Sequence, residues 1–227
     1  YLNEFHYLFR SRHYAHGGAY GGASENGTCA TLHTMAVNGC GTASPDTRLE
    51  LNFYTGRVEV DGKYVTLDDG TPLQYMPLAV EQNLTASKYI ETAGARMKKY
   101  EVDRTAYSDG RMPDNDIVLY RYADVLLMKA EAKVRNGESG DEQLNAVRSR
   151  VGMPSLAATL ANILDERLLE LVWEGWRRQD MIRFGTYCAP YDIHTPSAAD
   201  KKGYTIVFPI PEKARELNPN LAQNPGY

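Results

Sequence analysis

The stretch ERLLELVWEGWRRQDMIRFG, Glu166 to Gly185, holds both tryptophans of the chain with four arginines, three glutamates and an aspartate. Its apolar residues recur at helical spacing. Leu164, Leu168, Leu171, Val172 and Gly175 share one face with Ile182 further along, and Leu169, Trp173 and Trp176 form an adjacent strip. The spacing predicts one long helix, starting near Thr159 as N-cap after Pro154. Glu166, Glu170 and Glu174 follow at i,i+4 spacing, which is mildly repulsive alone; Arg177 and Arg178, three and four residues past Glu174, relieve it. An exposed ion pair contributes only ~0–1 kcal/mol, so burial of the apolar stripes must supply most of the stability. An acid within reach of arginine is held charged, whereas acid–base chemistry needs paired carboxyls whose pKa values are pushed apart. The expected role of Glu166, Arg167, Glu170, Trp173, Glu174, Trp176, Arg177 and Asp180 is therefore structural.

Upstream, RYADVLLMKAEAKVRNG (121–137) predicts a helix whose inward stripe is Tyr122, Val125, Met128 and Ala132, widened by Leu126 and Ala130. Gly137 stops it. GDEQLNAVRSRVG (140–152) predicts a second helix, with Asp141 as first-turn acid and Leu144, Val147 and Val151 as its stripe. Two helices on a tight connection make a helical hairpin, the unit of helix-pair solenoids, although no internal repeat of fixed period accompanies them.

The texture changes near residue 114. Residues 1–114 are rich in Gly, Tyr, Thr and Asn: YLNEFHYLF (1–9) reads as a strand or irregular entry, and LELNFY (49–54) and GKYVTLDDGTPL (62–73) as strand and turn pieces. Residues 115–227 read as helical. No linker separates the two, so they are expected to form one domain, a loop-rich part that carries any ligand site and a helical part.

The totals exclude several classes. The 227 residues, 43% hydrophobic and 24% charged, suit a globular protein with a sizeable core. A net charge of −4 lacks the basic surface that nucleic acid requires, and no apolar run approaches the ~18 residues of a membrane span. Tyr1 stands where a translated chain begins with Met, so a processed product or fragment is expected, with any targeting segment outside it. Cys29, Cys40 and Cys188 are too few for a disulfide framework, although Cys29 and Cys40 could pair in an oxidising compartment.

HYAHGGAYGGASENGTCATLH (13–33) offers His13, His16, Cys29 and His33 to a metal, but these lie on a glycine-rich segment, two of them a dozen residues from the others. Its glycines fit neither a dinucleotide fingerprint nor a Walker loop. No nucleophile motif is present. Asn26 and Asn83 head N-glycosylation sequons, a pattern with a high chance rate. Two readings of this segment stand side by side: an adaptable loop with aromatic faces for sugar rings and polar groups for hydroxyls, from Arg12, His13, Tyr14, His16, Tyr20, Glu25 and Asn26, or a decorated surface loop that meets no ligand. Sixteen tyrosines, rigid and amphipathic, fit such a surface. The rivals are a glycoside hydrolase using Glu50 with Asp61 or Asp68, which needs carboxyls about 5–9.5 Å apart, and a helical adaptor with no small ligand.

Six strings, taken in order, resemble the C-terminal part of the SusD/RagB family of nutrient-binding outer-membrane lipoproteins: DTRLELNFYTG, RMKKYEVDR, NDIVLYRYADVLLMKAEAKVRNG, LNAVRSRVGMP, ILDERLLELVWEGWRRQDMIRFG and VFPIPEKARELNPNLAQNPGY. The resemblance implies a mainly α fold of tetratricopeptide-like helix pairs, with an irregular loop-rich region and a few short strands. It also implies a non-enzymatic, cofactor-free surface protein that binds oligosaccharides, or peptides in RagB-like members, and delivers them to a SusC-like TonB-dependent transporter. Family members are about twice this length, so their N-terminal half has no counterpart here, and no family motif marks a binding residue in this portion.

Overall fold

The computed structural model describes residues 11–22, 24–81, 83–105 and 114–227. The strand expected over residues 1–9 lies outside them. The chain divides into two compact units, the first ending at Trp176 and the second running from Arg177 to Tyr227. The change of texture near residue 114 is a change of secondary structure within the first unit.

The described residues are mainly α-helical. In the front of the first unit, α1 (Tyr14–Ala19), α2 (Leu32–Val37) and α3 (Arg48–Asn52) are single short helices. The Thr31 hydroxyl caps α2 by accepting the Thr34 N–H. Three antiparallel two-stranded ribbons follow. Phe53–Tyr54 (β1) pairs with Arg96–Met97 (β6), Gly56–Arg57 (β2) with Gln74–Tyr75 (β5), and Glu59–Val60 (β3) with Lys63–Tyr64 (β4). The tight β3–β4 turn is Asp61-Gly62, both with positive φ (53° and 75°), the pairing that two-residue hairpins favour. Two apolar clusters hold this front. One joins Ala30, Met35, Leu49, Phe53 and Ala95, with Trp173 packed on it; the other joins Val58, Val60, Val65, Leu73 and Tyr75.

The back of the first unit is α4 (Tyr122–Arg135), α5 (Asp141–Arg150) and α6 (Leu160–Leu171), with α4 packed on both of the others. Thr159 caps α6 by accepting the Asn162 N–H, and Leu144 and Val147 are buried, as the sequence pattern requires. The α4 stripe differs from expectation. Tyr122, Val125 and Met128 are 76%, 46% and 38% exposed, while Ala130 is buried as expected and Asp124, Leu127 and Glu131 are buried beside it. Arg167 of α6 sits opposite and donates to Asp124 at 2.8 Å, so a charged pair occupies the buried face that periodicity assigned to apolar residues.

The long helix predicted from Thr159 is broken. Val172 leaves α6 with extended geometry, Trp173 and Gly175 take φ of +69° and +82°, and α7 (Arg177–Arg183) starts afresh. A left-handed conformation is costly for a tryptophan. It is held because the indole packs on Phe53 at 5.7 Å and donates its N–H to the Asn52 carbonyl at 3.0 Å.

In the second unit, Asp180 of α7 pairs with Arg183, and a capping box of Ser197 and Asp200 opens α8 (Ala198–Lys201). Further on, α9 spans Glu212–Leu217, and the Gln223 amide bonds both backbone groups of Ile210. No helix among the described residues is long and apolar enough to cross a membrane.

Candidate functional site

The loop singled out from the sequence is anchored from within. His13 caps α1 by accepting the Ala15 N–H on Nδ1, which leaves its Nε2 hydrogen for Glu91 at 3.3 Å. The His13 backbone N–H donates to the Tyr75 hydroxyl at 2.8 Å, and that hydroxyl shares a 3.1 Å hydrogen bond with His16 Nδ1. His16 is wholly buried. Burial first, then the charges of Arg12 and His13, push its imidazole down to about 3, so it is neutral at physiological pH. Burial likewise pushes the Tyr75 phenol up to about 12. Asn26, in left-handed conformation, donates to the Glu91 carbonyl at 2.8 Å and accepts from the buried Arg96 guanidinium at 2.8 Å.

Above this anchor lies a cleft of about 280 Å³ lined by Tyr20, Leu51, Tyr54, Lys98, Tyr100 and Arg104, with Glu101 and Val102 completing it. Tyr20 arrives from the end of α1, Leu51 from α3, Tyr54 from β1, and the other lining residues from the segment that leaves β6. The Tyr20 and Tyr54 hydroxyls bond each other at 3.1 Å, and the buried Arg12 guanidinium lies 5.9 and 5.3 Å from the two ring centroids. Burial and the bond from Tyr54 raise the Tyr20 phenol above its ordinary range, so it stays protonated. Arg104 lies 5.0 Å over the Tyr20 ring and Lys98 5.6 Å over that of Tyr54. The Lys98 ammonium is held by the Glu50 carbonyl at 2.7 Å. Tyr100 has φ of +73°, a strained conformation that turns the chain at the rim. The cleft thus combines flat apolar faces with donors and an acceptor at its edge, the combination that suits small polar ligands with apolar faces.

Of the seven loop residues expected to meet ligand, Tyr20 lines the cleft. Tyr14 and Glu25 are exposed elsewhere on the loop, and Asn26 is half-buried. Arg12, His13 and His16 are buried, at 3%, 0% and 0% exposure, contrary to a solvent-facing set; each is drawn inward by the Tyr54, Glu91 and Tyr75 contacts above. Sequence reasoning missed Leu51, Tyr54, Lys98, Tyr100, Glu101 and Arg104. Their signal was present, since NFY and KKYEVDR are tyrosine-bearing strings, but nothing local says that β1 pairs with β6 and so brings the second string, which follows β6, beside the first.

The three glutamates of the opening stretch face inward. Glu166 accepts from Arg48 and Arg148, both at 2.7 Å. Glu170 pairs with Arg48, Arg121 and Arg150 at 3.0, 2.6 and 2.8 Å. Glu174 pairs with Lys99 and Arg121, in place of the expected Arg177 and Arg178. A second cleft of about 260 Å³ reaches Glu166, but its carboxylate is already divided between those two arginines. Cys29, Cys40 and Cys188 are free thiols, so the pairing considered for Cys29 and Cys40 is absent. Among the described residues no group of three His, Cys, Asp or Glu side chains is placed to hold a metal.

The fold is similar to that of solved SusD superfamily structures. A solved structure of a member from Bacteroides vulgatus superposes with a TM-score of 0.54, covering 87% of this chain and 44% of that one at 21% identity. The SusD family model matches residues 12–194, and the chain belongs to that family. The starch-binding protein SusD of Bacteroides thetaiotaomicron is 30% identical over 139 residues, 58% of this chain and 25% of the relative. SusD-like protein P38 of Formosa agariphila is 31% identical over 130 residues, 50% of this chain and 25% of the relative. The match therefore spans about a quarter of the length of these curated relatives.

Proposed function

We propose that the chain belongs to a surface glycan-binding protein that takes sugar rings into the Tyr20–Tyr54–Tyr100 cleft and passes oligosaccharides to a TonB-dependent, SusC-like outer-membrane transporter. The observation that carries this reading is the cleft itself, three tyrosine rings with Lys98, Glu101 and Arg104 around them, in a chain whose relative is named for binding starch. Tyrosine rings stack on the C–H faces of a pyranose, while the edge groups bond its hydroxyls. Arg12, His13, His16 and Asn26 act as supports that fix the rings in advance, which reduces the entropy lost on binding. Tyr14 and Glu25 remain available to a longer ligand. Attachment to the cell surface falls to a lipid anchor outside this chain.

Binding without catalysis fits the acids of the front. The Arg104 hydrogen bonds hold the Asp61 carboxyl below its usual range, which favours a charged partner for Arg104 over a proton donor.

Calorimetric titration with maltohexaose, laminarihexaose and a mixed tryptic peptide pool tests the reading. A sugar is expected to bind, and Tyr54→Ala to weaken it about three- to tenfold, the usual worth of an aromatic contact. Binding of peptides alone would replace the glycan reading with a RagB-like one. Release of reducing ends would replace it with a hydrolase.

A further inference from the structure

The Asp61–Arg104 pair ties two parts of the front that share no strand pairing. Asp61 is presented at the tip of the β3–β4 hairpin, whose inner residues Val58, Val60 and Val65 belong to a buried cluster with Leu73 and Tyr75. Its position is therefore set by the core. Arg104 comes from the irregular segment after β6 and donates from both terminal nitrogens to the two carboxylate oxygens, at 2.7 and 2.8 Å. That fork-on-carboxylate geometry fixes the plane of the guanidinium as well as its place. The same guanidinium lies 5.0 Å over the Tyr20 ring. Tyr20 in turn bonds Tyr54 across the cleft floor.

We propose that Asp61, which does not itself line the cleft, is its positioning residue: it holds Arg104 over Tyr20 and so fixes one wall and tunes the affinity for a sugar ring. The inference rests on the cleft being the glycan site. Both partners are about half exposed, and a charged side chain on a solvent-facing segment spreads over many rotamers unless a fixed partner holds it. Being exposed, the latch is also sensitive to ionic strength.

The test pairs two readouts on the full chain. The first is free of ligand: proton NMR of Arg104, whose δ-methylene protons are expected to be shifted upfield by the Tyr20 ring current. Asp61→Asn is expected to return them toward random-coil positions, and Asp61→Glu to restore part of the shift. The second is calorimetric titration with maltohexaose and laminarihexaose at low and high sodium chloride. Asp61→Asn is expected to weaken whichever sugar binds by about two- to fivefold at low salt, with the gap to wild type closing at high salt, as an exposed pair predicts. An unchanged ring-current shift in Asp61→Asn overturns the proposal, as does a collapsed shift with unchanged affinity. If wild type binds neither sugar, the glycan reading falls, and the ring-current comparison still decides by itself whether Asp61 holds Arg104.

Discussion

Arg48 and Glu166, 118 positions apart in sequence, meet through a 2.7 Å hydrogen bond with their side chains only 3% and 1% exposed. Arg48 also forks onto Asp46 at 2.8 and 2.9 Å and reaches Glu170 at 3.0 Å. One guanidinium of the loop-rich front therefore serves three carboxylates, two of them on α6. Removing two charges from water costs several kcal/mol per ion, so such a cluster stands only while every member is paired.

Arg48→Met is expected to destabilise the protein by about 3–5 kcal/mol, because Asp46, Glu166 and Glu170 would each lose a partner while remaining buried. Urea unfolding followed by circular dichroism measures it. Adding Glu166→Gln to Arg48→Met should recover part of the loss. A single variant as stable as wild type would show that the carboxylates find water or other partners, and that the cluster is not what joins front to back.

Stability should fall in acid. Burial works against the charges of Asp46 and Glu170, yet the bonds and charge of Arg48 in the first case, and of Arg121 with Arg150 in the second, hold both below the usual carboxylate range. Such groups bind fewer protons folded than unfolded. Their contribution is complete above the unfolded values near ~4 and drains away as pH falls through the lower folded ones. His16, pushed down to about 3, acts with the same sign, because below its unfolded value near ~6.5 the unfolded chain gains a proton that the folded chain refuses. Urea midpoints measured at about pH 8, 6.5, 5 and 4 should decline in two legs, the first beginning below ~6.5. His16→Phe should flatten that first leg and leave the second. Equal midpoints at neutral pH and at about pH 5 in wild type would rule out His16 as a buried neutral imidazole.

Trp173→Ala should cost about 3 kcal/mol, at the lower end for buried aromatics because this indole is half-buried. It removes the contact with Phe53 and the bond to the Asn52 carbonyl. Affinity for sugar should be unchanged, since Trp173 does not line the Tyr20–Tyr54 cleft. Thermal unfolding and titration of the same sample separate the two effects, and a normally melting variant with lost binding would reverse the assignment.

Gly140→Ala tests the close approach within the helix pair. A Cβ there would stand 2.7 Å from the Ala130 carbonyl oxygen and 3.0 Å from its Cα, so α4 and α5 would have to part. Forced overpacking of this kind costs about 1–3 kcal/mol, readable as a lowered urea midpoint. No change would mean that the pair has slack.

Much of the helical part was legible from local rules. Thr159 as a cap, Asp141 as a first-turn acid, Gly137 as a stop and Leu144 with Val147 as an inward stripe all depend on residues within a few positions of each other. The inward face of α4 was not legible. Periodicity ranks Tyr122 and Met128 as core residues and Asp124 as surface, whereas Asp124 lies buried against Arg167 of α6. The break after Leu171 escaped for a similar reason, since the pattern continues smoothly while the contact that bends it comes from Phe53 and Asn52. In the front, the tyrosine content was visible. Which rings converge was decided by the β1–β6 pairing, more than forty residues apart.

The sequence alone determined the helical class, several helix ends and the family, because caps, periods and motif strings act over distances that a linear reading spans. Tertiary structure alone decided which arginine neutralises which glutamate, which face of α4 turns inward and which tyrosines share a cleft. Charge pairing and ring packing depend on separation in space, and a chain brings together groups whose distance along it carries no such information.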